Sequence, residues 1–221
     1  MIKKVLAGVA LCGVIPAFAA TNLVTDGSFE SASLTAGNYA LYGGNSLAGW
    51  TALPGDLIEV RDALVGTAKD GNNFVELDST HNSSMLTTLA TTAGQTYSLS
   101  FWYSGRPASA TYNTAFPSGV VPASSDGLSV DYGTGAVAVH SPTDTTSDNL
   151  WKEFTAIFTA TGPSTTLMFS ATGKDDSYGS SLDDISVLAV PVPEPATMAM
   201  MAAGMLGLLG LGFRRGRRRN R

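Results

Sequence analysis

The chain has 221 residues, of which 44 % are hydrophobic and 14 % charged, enough for one domain with terminal extras and unlike a disordered charged tail. One Cys and two His exclude a disulfide framework, a Cys-based zinc site and a His-rich metal centre, while 23 Ser, 24 Thr and 24 Gly against 5 Lys favour strands and turns over helices. The net charge of −5 conceals an asymmetry, because six of the eight Arg lie between Arg214 and Arg221 and residues 21–193 hold 17 acidic against 5 basic side chains, which makes nucleic acid a poor partner and divalent cations a better one.

At the N-terminus, Lys3 and Lys4 precede an apolar run from Val5 to Ile15 and an Ala17-Phe18-Ala19 cleavage site. This is the pattern of a secretory signal peptide over residues 1–19, and the apolar run falls short of the roughly 20 residues that a span needs. Cys12 lies in the part removed, so the mature chain is expected to fold outside the cytoplasm without disulfides.

Residues 20–190 form the body. Period-two alternation predicts strands over Phe74 to Asp78, Ser84 to Ala90, Tyr97 to Ser104, Leu128 to Tyr132, Trp151 to Thr159, Thr165 to Ala171 and Leu182 to Ala189. In the third of these Tyr97, Leu99, Phe101 and Tyr103 share a core face, leaving Trp102 with Ser98 and Ser100. The Ser-, Ala-, Pro- and Gly-rich stretch from Pro107 to Asp126 reads as an extended loop over one end of a β-sandwich.

The C-terminus runs in fixed order: Val192-Pro193-Glu194-Pro195, an uncharged stretch 196–213, and the basic tail 214–221. Eighteen residues at about 1.5 Å each are just long enough for a single transmembrane helix. The basic cluster is expected to stay cytoplasmic, leaving the body beyond the inner membrane.

Residues 191–221 closely resemble the PEP-CTERM sorting signal of Gram-negative bacteria. That resemblance implies handling by an exosortase, a membrane protease-transpeptidase, with the tail removed or exchanged near the motif and the body released or attached at the cell surface or in the exopolysaccharide matrix. A plain membrane anchor is the alternative. The body adds a second resemblance. Asn22-Leu23-Val24, Asp26-Gly27-Ser28-Phe29-Glu30, Gly49-Trp50, Gly94-Gln95-Thr96-Tyr97 and Leu182-Asp183-Asp184-Ile185 are placed as in the galactose-binding-like jelly rolls, the fold of many carbohydrate-binding modules. An all-β jelly-roll sandwich follows as the expected fold. By the same resemblance the first and last strands lie together and share a structural Ca²⁺, with Glu30 and Asp183 or Asp184 as ligands and Asp26 a lesser candidate.

Sugar recognition needs aromatic surface and a few polar groups. Trp102, on a polar face, is the leading candidate, joined by Arg106 at the strand end and by Glu76 on the non-core face of its strand, with Tyr112 and Phe116 in the long loop as further aromatics. Trp50 and Trp151 read as packing residues, and Asp175-Asp176 as a hairpin loop that lacks the EF-hand spacing but could serve a ligand at the loop rim. His81 and His140 read as turn residues without a G-x-S-x-G nucleophile elbow, so the expectation is a binding or structural protein and not an enzyme. The alternative is a glycan-acting hydrolase, which requires two carboxylates across a cleft.

Overall fold

The computed structural model describes residues 21–140, 143–191 and Gly204. The signal peptide, the 192–195 motif and the basic tail lie outside the described residues, as does the span apart from Gly204.

Alternating apolar and polar side chains fold the described residues into eleven strands: β1 (Asn38–Gly43), β2 (Thr51–Ala52), β3 (Leu57–Asp62), β4 (Asn73–Glu76), β5 (Ser84–Ala90), β6 (Thr96–Ser104), β7 (Gly127–Asp131), β8 (Val137–His140), β9 (Lys152–Thr159), β10 (Ser164–Ala171) and β11 (Ser181–Ala189). Six form one sheet in the order β1-β3-β4-β11-β6-β9, and five form the other in the order β2-β5-β10-β7-β8. Every neighbouring pair is antiparallel. Neighbours distant in sequence, such as β11 between β4 and β6, give the jelly-roll sandwich. His140, expected in a turn, ends β8.

Alternation decides which side chains meet between the sheets. Val60, Val75, Leu99, Phe101, Leu182 and Val187 face Met85, Leu89, Leu128, Leu167 and Phe169 across the core. Phe101 meets Phe169 edge-on with centroids 5.0 Å apart. Each such side chain contributes about 1.5–3 kcal/mol by leaving water. Trp50, packed against Phe29 and Phe169, is a core residue as expected. Its indole N–H donates to the Asp26 carbonyl at 3.0 Å, which fixes the N-terminal segment over that end of the core.

The N-terminal segment also lies along the last strand. The Leu23 N–H donates to the Val187 carbonyl at 2.9 Å, and the Asn22 side-chain oxygen accepts from the N–H groups of Val24 and Val187. Opposite Gly27, β11 carries a bulge between Asp183 and Ser186, with Asp184 at φ +50°. The Ile185 N–H donates to the Gly27 carbonyl at 3.0 Å, and a Cβ on Gly27 would run into the Ile185 carbonyl.

The outer face of the six-stranded sheet carries Glu59, Arg61, Phe74, Glu76, Trp102 and Asp183, and all of these but Trp102 are buried. Three loops, 63–72, 105–126 and 143–151, close over it and bond to one another. The Ala108 N–H reaches the Thr146 carbonyl at 2.7 Å, the Thr67 N–H reaches Asp148 Oδ1 at 2.8 Å, and the Trp151 indole N–H reaches the Thr67 carbonyl at 3.0 Å. Trp151 stacks edge-on against Phe74, so its packing role is on this outer face.

Candidate functional site

Residues 21–193 contain only two arginines, Arg61 and Arg106, and both meet at one carboxylate. In Leu57–Asp62, Ile58 and Val60 point into the core, so Glu59 and Arg61 point outward together, and the Arg61 Nε–H donates to Glu59 Oε1 at 2.7 Å. Glu76 stands opposite Glu59 in the ladder. Its Oε2 lies 2.5 Å from Arg61 Nη1 and 2.8 Å from Arg106 Nη1, and its Oε1 accepts from Arg106 Nη1 and from the Gly179 N–H, both at 3.0 Å.

Two cations and two anions sum to zero, which is how four ionisable side chains are tolerated under the loops. Glu76 is fully buried. Burial pushes its carboxyl up, against the pull of Arg106 and Arg61. Arg106 is in turn held by Asn113, whose Oδ1 accepts from Arg106 Nε at 2.8 Å while its NH₂ donates to the carbonyls of Pro107 and Gly119. The cluster thus orders the long loop as well as the sheet face. Beside it, burial pushes the Asp126 carboxyl up to about 7, opposed by the Arg106 backbone N–H.

Above these ion pairs lies a groove. A cavity of about 360 Å³ is floored by Glu59, Arg61 and Arg106 and flanked by Tyr39 of β1 and Tyr112 of the 105–126 loop. The two tyrosines are 55 % and 50 % exposed, so both present surface to solvent in a cavity that also holds these charged side chains. A second cavity of about 420 Å³ shares Val65 and Tyr112 with the first and continues to Thr67, Ser109 and Asp148. On the other sheet, a cavity of about 240 Å³ lined by Asp131, Thr165, Thr166 and Met168 presents no aromatic ring.

The residues singled out in the sequence are placed differently from one another. Arg106 lines the groove. Glu76 faces away from the core as expected, and it is 0 % exposed, paired with both arginines and not among the residues that line the groove. Trp102 does stand on the outer face, opposite Asp183 and Glu153, but the Lys69 ammonium lies 3.8 Å from its ring centroid. The free rings of the groove are Tyr39 and Tyr112 instead. The alternation of Leu57–Asp62 and the scarcity of arginine were the available signals for Glu59 and Arg61.

Glu30 and Asp183, read as calcium ligands, grip one loop by its backbone. Glu30 Oε1 accepts from the N–H groups of Asn72 and Asn73, both at 2.8 Å. Asp183 Oδ2 accepts from Lys69 at 2.7 Å and Asp70 at 3.0 Å, and its Oδ1 from Asp184 at 2.6 Å. Burial pushes Asp183 up to about 7 against these three N–H donors. Asp26 accepts from the N–H and hydroxyl of Ser31. Glu30 and Asp183 thus tie the 69–73 loop to the N-terminal segment and to β11 through its backbone N–H groups, with Gly71 at φ +68° letting the loop pass close to Glu30.

A jelly-roll sandwich with a tyrosine-flanked, charge-floored groove, followed by a C-terminal sorting signal, is the class of protein that the fold and sequence define. The chain belongs to the family described as protein of unknown function DUF642, which matches residues 22–188. Residues 191–219 match the PEP-CTERM protein-sorting motif, which marks the chain for export and membrane-associated sorting. A comparison with curated proteins found no match. Among solved structures the chain is similar to TmCBM61 in complex with β-1,4-galactotriose, at 14 % identity over 77 % of this chain and 100 % of that one, with a TM-score of 0.42. It is also similar to a family 16 carbohydrate-binding module, at 17 % identity over 76 % and 99 % with a TM-score of 0.43. CBM35 from Paenibacillus barcinonensis matches at 18 % identity over 70 % and 100 %, with a TM-score of 0.39.

Proposed function

We propose that this is an exported carbohydrate-binding protein of the cell surface or exopolysaccharide matrix, sorted through its C-terminal signal by an exosortase. The observation that carries the binding part is the groove, with exposed Tyr39 and Tyr112 flanking a floor of Glu59, Arg61 and Arg106. Aromatic rings offer apolar faces to the C–H surface of a sugar, and charged groups already fixed by one another offer hydroxyl partners without reordering. Two adjoining cavities suit a chain of several sugar units better than a single ring. Binding is favoured over hydrolysis because Glu59 is paired with Arg61, and Glu76, paired with both arginines, is 0 % exposed and not among the residues lining the groove, so the two carboxylates do not face each other across a cleft as a free acid and base.

Retention of the full-length protein on immobilised polysaccharides, the producer's own included, tests this reading. Tyr39→Ala and Tyr112→Ala should each weaken binding about three- to tenfold, matching a loss of about 0.5–1.5 kcal/mol per ring contact. Unchanged retention in the double variant, or no retention of the parent on any polysaccharide, would refute the groove as a sugar site.

A further inference from the structure

We infer that a divalent cation, with the hard-oxygen preference of Ca²⁺, binds where the 77–83 loop meets the 172–180 loop, held by Asp78, Asn82 and Asp176. Three side-chain oxygens there are buried without a hydrogen-bond partner: Asp78 Oδ1, Asn82 Oδ1 and Asp176 Oδ1. Asp78 is 0 % exposed, so water does not solvate its carboxylate. A buried acceptor left unpaired costs about 1–3 kcal/mol, more if charged, and these two adjoining loops carry three of them, which a partner presenting positive charge would satisfy.

The backbone brings these groups together. Asp78 and Asn82 face each other in an isolated antiparallel bridge. The N–H groups of Asp176 and Tyr178 donate to Asp78 Oδ2 at 3.3 and 3.2 Å, which seats the 172–180 loop on that carboxylate and leaves its Oδ1 over. The Asn82 side-chain NH₂ donates to the Gly173 carbonyl at 2.8 Å, so its oxygen is turned the other way, and the Asn82 N–H is taken by Asp175 Oδ1. Asp176 keeps Oδ2 for the Ser125 hydroxyl at 2.8 Å, and again Oδ1 is spare. In each case one side-chain oxygen or amide group fixes the orientation and the other oxygen stays unused.

Charge points the same way. Asp78, Asp175 and Asp176 bring three negative charges, and Lys174, whose ammonium lies 3.6 Å from Asp176 Oδ2 on a side chain 69 % exposed, offsets one of them. The remaining charge of two is what a divalent ion neutralises. Two carboxylates and an amide carbonyl make an oxygen set suited to Ca²⁺, which completes its shell with water and backbone carbonyls. The site is separate from the Glu30 and Asp183 anchors and from the sugar groove, so it stands whether or not the groove binds glycan.

Calorimetric titration of Ca²⁺ into metal-stripped full-length protein should give one site per chain, with a dissociation constant on the order of 10⁻⁴–10⁻³ M as in extracellular modules, and Ca²⁺ should raise the thermal midpoint. Asp176→Asn and Asn82→Ala should each weaken binding at least tenfold, whereas Glu30→Gln should leave it unchanged. Circular dichroism of each variant verifies that it is folded. Asn82→Ala keeps the carboxylates and so reads ligation apart from net charge. No binding up to about 10 mM Ca²⁺ would overturn the site. Loss of binding in Glu30→Gln with none in Asn82→Ala would overturn it in favour of the termini.

Discussion

Asp126 illustrates how burial alone sets the chemistry of a residue. It is 2 % exposed, its Oδ1 takes the Arg106 backbone N–H at 3.0 Å, and its Oδ2 has no partner. Burial, reinforced by the charge of Glu76, outweighs that N–H and the Arg106 guanidinium, and the carboxyl rises to about 7. A group with a folded pKa above its ordinary carboxylate value binds more protons in the folded state, so its contribution is greatest below about pH 4 and fades as pH rises through about 7. In Asp126→Asn the side chain keeps the acceptor for Arg106 and never ionises. Denaturant melts from pH 5 to pH 8 should therefore show the variant gaining on the parent, by on the order of a few kcal/mol at the upper end. Parallel pH profiles for the two proteins would show that Asp126 is ionised in the fold at no cost.

At the scale of elements, the closure of the N-terminal segment on β11 is the contact most sensitive to a single atom. Gly27 passes so near the Ile185 carbonyl that a Cβ forces the two apart, so Gly27→Ala should cost about 1–3 kcal/mol in chemical denaturation and release the Ile185 amide to hydrogen exchange. Gly162→Ala, whose Cβ would find its nearest neighbour at 3.8 Å, is the near-neutral control. Equal stability of the two variants would mean that the segment is not clamped. The strands that were legible are those with one polar and one apolar face, Thr96–Ser104 and Ser84–Ala90 among them. Asn38–Gly43 was not, because Tyr39 and Leu41 on its outer face are as apolar as the residues opposite. Leu57–Asp62 does alternate, Ile58 and Val60 inward against Glu59 and Arg61 outward, but it is only six residues long. The site was less legible for a further reason. For Glu76, alternation gives the non-core face and no more, because it reports only which way a side chain leaves its strand. What covers it comes from three loops remote in sequence, and the same remoteness hid the Lys69 ammonium over Trp102.

For the whole molecule, the body and the tail meet at Pro191, just past the edge of β11, where the Val190 N–H still donates to the Thr96 carbonyl at 2.9 Å. The folded domain therefore holds its chain up to the residue where the PEP-CTERM match begins. By sequence, Pro191, Pro193 and Pro195 lack backbone donors and disfavour a helix, a composition suited to a protease that takes its substrate in extended form. By the positive-inside rule the Arg cluster is expected to halt translocation and so to set how far the motif emerges. Cleavage at the motif would free a domain whose last strand is already paired, so the body should survive it with its melting temperature unchanged. In a host with an exosortase, mass spectrometry of the exported protein should find a C-terminus near Val192 to Pro195, and replacing Glu194 and Pro195 should leave a longer, membrane-retained form. An intact Arg-rich terminus on surface-exposed parent protein would establish the tail as a permanent anchor instead.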